Sequence, residues 1–255
     1  MLSNVSLKNL ISIVCDLGKE AELLRKSNLN IDFKEDSSPI TKADILINGE
    51  LNKFFLSTDY TNVISEENEE IPFKKRKKWD FFWCIDPIDG TKEYISGGSD
   101  YTINVALCMK DRPIFSIVYA PAREELFIAK KDQGATKNNR KININNNIDN
   151  LVHLVASKSH LNKKTQNFID MISSNHDINL LQFGSSLKIC KIAEGAAHLY
   201  PRFGPTMEWD TCAADLVLTE AGGFLVDIEK NRLLYNKEKL LNPCFISSAS
   251  EKLIL

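Results

Sequence analysis

Asp86-Pro87-Ile88-Asp89-Gly90-Thr91 follows directly on the apolar run Phe81-Phe82-Trp83-Cys84-Ile85. A buried strand that ends in two carboxylates, a tight turn and a hydroxyl is a compact holder for hard divalent cations. Asp86 and Asp89 can share or divide two ions. Pro87 and Gly90 fix a sharp backbone path, which can turn the Ile88 carbonyl toward metal as well. Oxygen-only coordination suits Mg²⁺, and Mg²⁺ commonly brings a substrate phosphate with it. A lone D-x-x-D is also an ordinary acidic surface turn, so the segment needs partners elsewhere in the chain.

Two other segments supply carboxylates in comparable positions. Val63-Ile64-Ser65 is a short β-branched run that stops at Glu66-Glu67, which puts acids at the end of a second strand. Downstream, Trp209-Asp210-Thr211-Cys212-Ala213-Ala214-Asp215 places Asp210 where a helix should begin, ahead of an apolar stretch and a Gly222-Gly223 stop. An Asp there serves equally well as a helix cap. Ser38-Pro39-Ile40-Thr41-Lys42-Ala43-Asp44 puts a further acid one turn into another helix, where it also suits the macrodipole.

In order and wording, E-E, then D-P-I-D-G-T, then W-D-T-C-A-A with E-A-G-G resembles the inositol-monophosphatase-like family of Mg²⁺-dependent, Li⁺-sensitive phosphatases. The resemblance runs from about Lys8 to the C-terminus. It implies an α/β (α+β) fold, a layered αβαβα sandwich of the inositol monophosphatase / fructose-1,6-bisphosphatase type, with the metals where two sheets meet. It implies Glu66, Asp86, the Ile88 carbonyl, Asp89 and Asp210 as ligands of two or three Mg²⁺ ions. In the family an Asp at the position of Asp44 hydrogen-bonds the Thr of D-G-T, here Thr91, and the pair activates water. Asp44, Thr91 and Glu66 are therefore the implied catalytic residues. The relay makes sense because a hydroxyl alone is a poor base and must pass its proton to a carboxylate.

The second half of the chain bears on the substrate. Gly184-Ser185-Ser186-Leu187-Lys188 offers hydroxyls, backbone N–H groups and an ammonium near a helix start, which is an anion site by geometry and charge. Tyr200-Pro201-Arg202-Phe203-Gly204 adds a guanidinium, and Ser157-Lys158-Ser159-His160 adds donors. Capping or surface charge would explain each of these singly. G-S-S-L-K and Y-P-R-F-G together resemble the bacterial 3′(2′),5′-bisphosphate nucleotidases that clear adenosine 3′,5′-bisphosphate during sulfate assimilation. That resemblance implies substrate contacts from Glu66, Ile88, Asp89, Gly90, Thr91, His160, Ser185, Lys188, Arg202 and Asp210. The chain departs from the pattern at Lys158, where Arg is usual, and at Met207-Glu208 before Trp209. The competing readings are a broad inositol- or sugar-phosphate phosphatase, and a nucleotide-binding protein without catalysis.

Composition agrees with a small-molecule enzyme. The 255 residues can bury a sizeable core, and a net charge of -2 from 32 basic and 34 acidic residues argues against a general nucleic-acid binder. The run Lys74-Lys75-Arg76-Lys77-Lys78 reads as a solvated loop, or as attraction for an anionic substrate or membrane surface. The expected location is accordingly the cytoplasm, with weak peripheral contact at the inner membrane as one option. Oligomeric state is open, a homodimer included. The six cysteines form no C-x-x-C pair and sit mostly in apolar runs, as small hydrophobes with free thiols do. With four histidines and no H-E-x-x-H, zinc is poorly supported. The first ten residues lack a signal-peptide core, and no run of about eighteen apolar residues occurs.

Periodicity supplies the frame for these residues. It predicts helices over 3–26 and from Thr41 through Phe54, then strands at 62–65, 80–85, 102–109, 114–119 and 125–129, with Asp111-Arg112-Pro113 as a hairpin turn. The Asn- and Lys-rich stretch 138–150 reads as a loop or edge. Beyond it come a strand (151–156), helix (165–173), strand (180–183), helix (187–194), strand (197–201) and helix (209–221). The organisation expected is an α+β lobe with the metal site at 1–145 and an α/β lobe with substrate-binding elements at 146–255, joined as one unit.

Overall fold

The structure is a computed structural model that describes residues 3–27, 31–34, 38–148, 150–156 and 162–254. Helix α1 (Asn4–Ser27) carries Leu7, Leu10, Val14, Leu17 and Ala21 on one stripe, and all five are buried. Strands β1 (Ile31–Phe33) and β2 (Pro39–Thr41) form a small antiparallel ribbon before α2 (Lys42–Leu56). A capping box starts α2: the Thr41 N–H donates to Asp44 Oδ2 at 2.7 Å and the Ala43 N–H to Thr41 Oγ1 at 3.2 Å.

The main sheet has seven strands, β3 (Val63–Ser65), β4 (Phe81–Asp89), β5 (Thr102–Met109), β6 (Arg112–Ala120), β7 (Glu125–Lys130), β8 (Gly134–Lys137) and β9 (Arg140–Ile142), in that spatial order. Only the β3–β4 pair is parallel. The short helices α3 (Phe73–Arg76) and α4 (Thr91–Ile95) flank β4 in sequence. A second, five-stranded sheet has the order β11-β10-β12-β14-β13, built from β10 (Leu151–Ala156), β11 (Asp177–Gln182), β12 (Leu199–Arg202), β13 (Phe224–Asp227) and β14 (Phe245–Ser248). Helices α5 (Lys163–Ser173), α6 (Leu187–Ala193) and α7 (Glu208–Glu220) are threaded between these strands.

Strand alternation sorts the side chains into layers. Trp83, Ile85, Val105 and Ile117 of the main sheet pack with the buried stripes of α1 and α2. Their neighbours Phe82, Cys84, Ala106 and Val118 face the other way, into a core shared with α6 and α7. Tyr200, Leu225 and Phe245 of the second sheet close that core, while Val152, Leu154, Leu199 and Ile246 turn outward onto Phe168 and Ile172 of α5. The result is the five-layer αβαβα order that the resemblance implied. Helices α6 and α7 make the central layer, and α7 is buried without interruption from Thr211 to Leu218, the one acid in that stretch, Asp215, being paired with Arg112 and Tyr235.

Some local expectations need correction. The 111–113 turn is tighter than expected: Lys110 and Asp111 make it, with Lys110 at φ 58°, and Arg112 and Pro113 already belong to β6. Part of the 138–150 stretch is ordered by the fold. β9 forms the sheet edge, and the Ile144 N–H donates to the Ala221 carbonyl, where Gly223 leaves room for its side chain. The four buried thiols, Cys84, Cys108, Cys190 and Cys212, are free, as expected. No helix among the described residues is long and apolar enough to cross a membrane.

Candidate active site

The end of β4 is irregular where the chemistry collects. Asp86 pairs with Asn104 and Asp89 with Thr102, so β4 carries one extra residue across from β5. Such a bulge re-aims side chains at the end of a strand. Gly90 follows at φ +91°, a left-handed conformation that a side chain would strain, and Thr91 then opens α4. At the end of β3, Glu66 comes alongside, its N–H donating to the Ile85 carbonyl at 3.4 Å. From the central layer α7 adds Asp210, the third residue of that helix. Carboxylate oxygens of Glu66, Asp86 and Asp210 lie within 4.8 Å of one another.

These groups line a cavity of about 350 Å³ together with Asp89, Thr91, Ser185, Lys188, Tyr200 and Arg202. Asp210 is both cap and cavity residue, because its Oδ2 accepts the Met207 N–H at 2.8 Å. Both oxygens of Asp86 are buried and have no hydrogen-bond partner. Burial, and then the charge of Glu66, push the Asp86 carboxyl well above its ordinary range. Burial and the Asp89 charge push Asp210 to about 8. Burial also raises Asp89, to about 6, where Lys188, the Ser186 N–H and Asn104 hold it back. A buried carboxylate without a partner costs several kcal/mol, and here three more acids crowd it. An oxygen-only cluster of this kind fits hard divalent cations, and Mg²⁺ best. The Glu66 carboxylate is also held by Lys34, whose Nζ lies 2.9 Å from Glu66 Oε1 and 2.6 Å from Glu67 Oε1.

The expected relay pair is separated by other bonds. Thr91 Oγ1 donates to the Ile88 carbonyl at 3.1 Å, and Asp44 Oδ2 accepts from Thr41 Oγ1 at 2.6 Å. Among the described residues no hydrogen bond joins Asp44 to Thr91. Burial raises the Asp44 pKa, and the Thr41 donors oppose that rise.

The cationic side of the cavity comes from the second sheet and α6. Lys188 is the second residue of α6, near the helix start as its sequence position suggested. It is 7% exposed, and burial lowers its pKa to about 8. Arg202 Nη2 donates to the Pro205 carbonyl at 3.0 Å, while its Nε is buried without a partner. Ser185 sits at φ 49° in the loop before α6. His160 and its neighbours Ser157, Lys158 and Ser159 lie outside the described residues. Sequence reasoning gave no role to Lys34, Thr102 or Asn104, and it offered the Ser186 hydroxyl to an anion, whereas that hydroxyl is buried and donates to Asn104 Oδ1. The signal for Asn104 was an amide inside the otherwise apolar run Ile103 to Leu107.

Comparison with known proteins gives the family. The chain is 32% identical to the 3′(2′),5′-bisphosphate nucleotidase CysQ of Buchnera aphidicola subsp. Acyrthosiphon pisum, over 95% of this chain and 94% of that protein. It is 35% identical to the 3′(2′),5′-bisphosphate nucleotidase CysQ of Escherichia coli K12, over 85% and 88% respectively. Among solved structures it superposes on CysQ from Bacteroides thetaiotaomicron, a bacterial member of the inositol monophosphatase family. That match has a TM-score of 0.82 at 33% identity and covers 92% of this chain and 94% of that one. The inositol monophosphatase family profile matches residues 6–253, so nearly the whole chain, acidic cluster and cationic wall included, belongs to the inositol monophosphatase family.

Proposed function

We propose that this chain is a Mg²⁺-dependent phosphatase that removes the 3′-phosphate of adenosine 3′,5′-bisphosphate, leaving AMP, in sulfate assimilation. The observation that carries the reading is one cavity with two unlike halves, one suited to cations that can hold a phosphate and one suited to an anion directly. Four carboxylates without enough counter-charge form the first half. Lys188, which has no ion pair among the described residues, and the buried Nε of Arg202, which has no hydrogen-bond partner among them, form the other. A substrate with a single phosphate would use only the first. The relatives over most of the chain are nucleotidases for a bisphosphate, which supports the same reading.

Glu66, Asp86, Asp89 and Asp210 would hold two or three Mg²⁺ ions, with the Ile88 carbonyl as a further oxygen. Mg²⁺ bound there supplies charge neutralisation at the scissile phosphate and a lowered pKa for water. Thr91 Oγ1, once its hydroxyl turns from the Ile88 carbonyl toward Asp44, would take the water proton as it gives its own to the Asp44 carboxylate, whose basicity is raised by burial. Ser185, Lys188 and Arg202 hold the 5′-phosphate and so orient the ester for in-line attack. Phosphate release from adenosine 3′,5′-bisphosphate and from inositol 1-phosphate, measured side by side with Mg²⁺ present, tests the reading. Preference for the bisphosphate is expected, and a preference for the inositol ester would overturn it.

A further inference from the structure

Behind the cavity, four polar groups form one directed chain in an apolar surround. Thr102, Asn104 and Ser186 are all 3% exposed or less. Ser186 Oγ donates to Asn104 Oδ1 at 2.8 Å, which uses its only proton. The 2.8 Å contact between Thr102 Oγ1 and Ser186 Oγ therefore runs from Thr102 to Ser186. At the far end Asn104 Nδ2 donates to Asp89 Oδ2 at 3.3 Å, and the same oxygen accepts the Ser186 N–H at 2.5 Å. Asp89 Oδ2 thus takes two fixed donors, while Asp89 Oδ1 takes no hydrogen bond among the described residues. Asn104 also sits opposite Asp86 in the β4–β5 ladder, across the bulge that sets the angle between the two acids.

We infer that Asn104 is a positioning residue for metal binding: held by Thr102 and Ser186, it fixes the rotation of the Asp89 carboxylate so that Oδ1 is presented to a divalent cation. The inference rests on the assignment of Asp89 as a metal ligand under the proposed function. An apolar residue at position 104 would pack this part of β5 at lower cost, since a buried amide has to have each of its bonds met. Among the described residues the Ser186 hydroxyl serves the amide oxygen and Asp89 Oδ2 is the acceptor for the amide nitrogen, so the three-residue chain ends on one carboxylate oxygen. Groups that orient metal-binding carboxylates in this way commonly contribute ten- to a hundred-fold in metal affinity. Because Ser186 belongs to the loop that carries Ser185 and precedes Lys188, the same chain ties that loop to the metal side of the cavity.

The test is calorimetric titration of Mn²⁺, as a probe for Mg²⁺, into the substrate-free protein, with thermal melting in EDTA as a check on folding. Asn104→Leu and Asn104→Ser should each weaken Mn²⁺ binding by roughly ten- to a hundred-fold while the melt in EDTA stays cooperative. Thr102→Val keeps the buried volume and cuts only the far end of the chain. It should shift the constant in the same direction by about two- to five-fold, as loss of one neutral hydrogen bond does. Should Asn104→Leu fail to fold, the other two variants are read in its place. Wild-type Mn²⁺ affinity in folded Asn104 and Thr102 variants would overturn the inference. No phosphate ester is present in this titration, so its outcome is independent of which substrate the enzyme prefers.

Discussion

Lys188 holds its ammonium 5.5 Å from the centroid of the Tyr200 ring, and among the described residues no carboxylate lies within ion-pair distance of it. An ammonium that is 7% exposed, with an aromatic face beside it and the Asp89 charge felt only from beyond ion-pair distance, has given up water for partial return. A phosphate entering the cavity would supply the missing partner.

Lys188→Ala should therefore cut kcat/KM for adenosine 3′,5′-bisphosphate by about ten- to a hundred-fold, since one charge-assisted contact contributes roughly 1.5–3 kcal/mol. For 3′-AMP, which has only the scissile phosphate, the change should be small. The ratio of the two effects is the quantity to measure, because it cancels any damage to the acidic cluster. Equal losses on both substrates would assign Lys188 to the fold or the metals.

Asp89→Asn removes one charge from the cluster but retains the shape and an oxygen for the Ser186 N–H. The variant should melt at or above the wild-type temperature in EDTA, because a crowded charge is gone, and lose phosphatase activity by roughly a hundred-fold or more at ordinary Mg²⁺. Normal turnover by the folded variant would remove Asp89 from the metal site.

How much of this could be read in the sequence follows from what each signal depends on. Trp83 and Ile85 alternate with Phe82 and Cys84 because β4 is buried on both faces, so strand and burial are local facts. Asp86, Asp89, Glu66 and Asp210 stood out because each ends or begins an apolar element. The layering came from the family resemblance, since no periodicity tells α7 which two sheets it will separate. Lys34 gave no local signal: it meets Glu66 and Glu67 only through tertiary packing of the segment between β1 and α2. Asn104 was visible as an oddity within an apolar strand, yet its meaning depends on Ser186, 82 residues away.

The pH dependence of stability should be inverted relative to most acidic proteins. In the metal-free fold Asp210 is raised to about 8 and Asp89 to about 6, so between pH 5 and 8 the folded state binds more protons than the unfolded one. Stability contributed by these two acids is then present at low pH and lost as pH rises through those values. Lys188, lowered to about 8, works in the opposite direction only above that pH. Mg²⁺ must displace the retained protons, so the rise in Tm on adding Mg²⁺ should be larger at pH 8 than at pH 6. Melting curves in EDTA and in Mg²⁺ at the two pH values decide it, and a Mg²⁺ increment that shrinks with pH would contradict the shared acidic site.

Gly184 is the point where the cationic loop touches the rest of the site. A Cβ on Gly184 would lie 2.5 Å from the Asp100 carbonyl oxygen and 2.8 Å from the Asp100 Cβ, both on a well-anchored segment. Asp100 Oδ2 accepts the Gly184 N–H at 3.2 Å, and its other oxygen is ion-paired with Arg123. Asp100 is therefore poorly placed to yield, and Gly184→Ala should push Ser185, Ser186 and Lys188 away from the cavity instead. A displacement near 1 Å can cost on the order of a hundred-fold in rate when it moves the groups that orient a substrate. The expected result is a loss of that order in kcat/KM for adenosine 3′,5′-bisphosphate, with a smaller loss for 3′-AMP carried through the Ser186 bond to Asp89. Wild-type kinetics on both substrates would mean that the loop absorbs the methyl group without moving, and that the 5′-phosphate is held elsewhere.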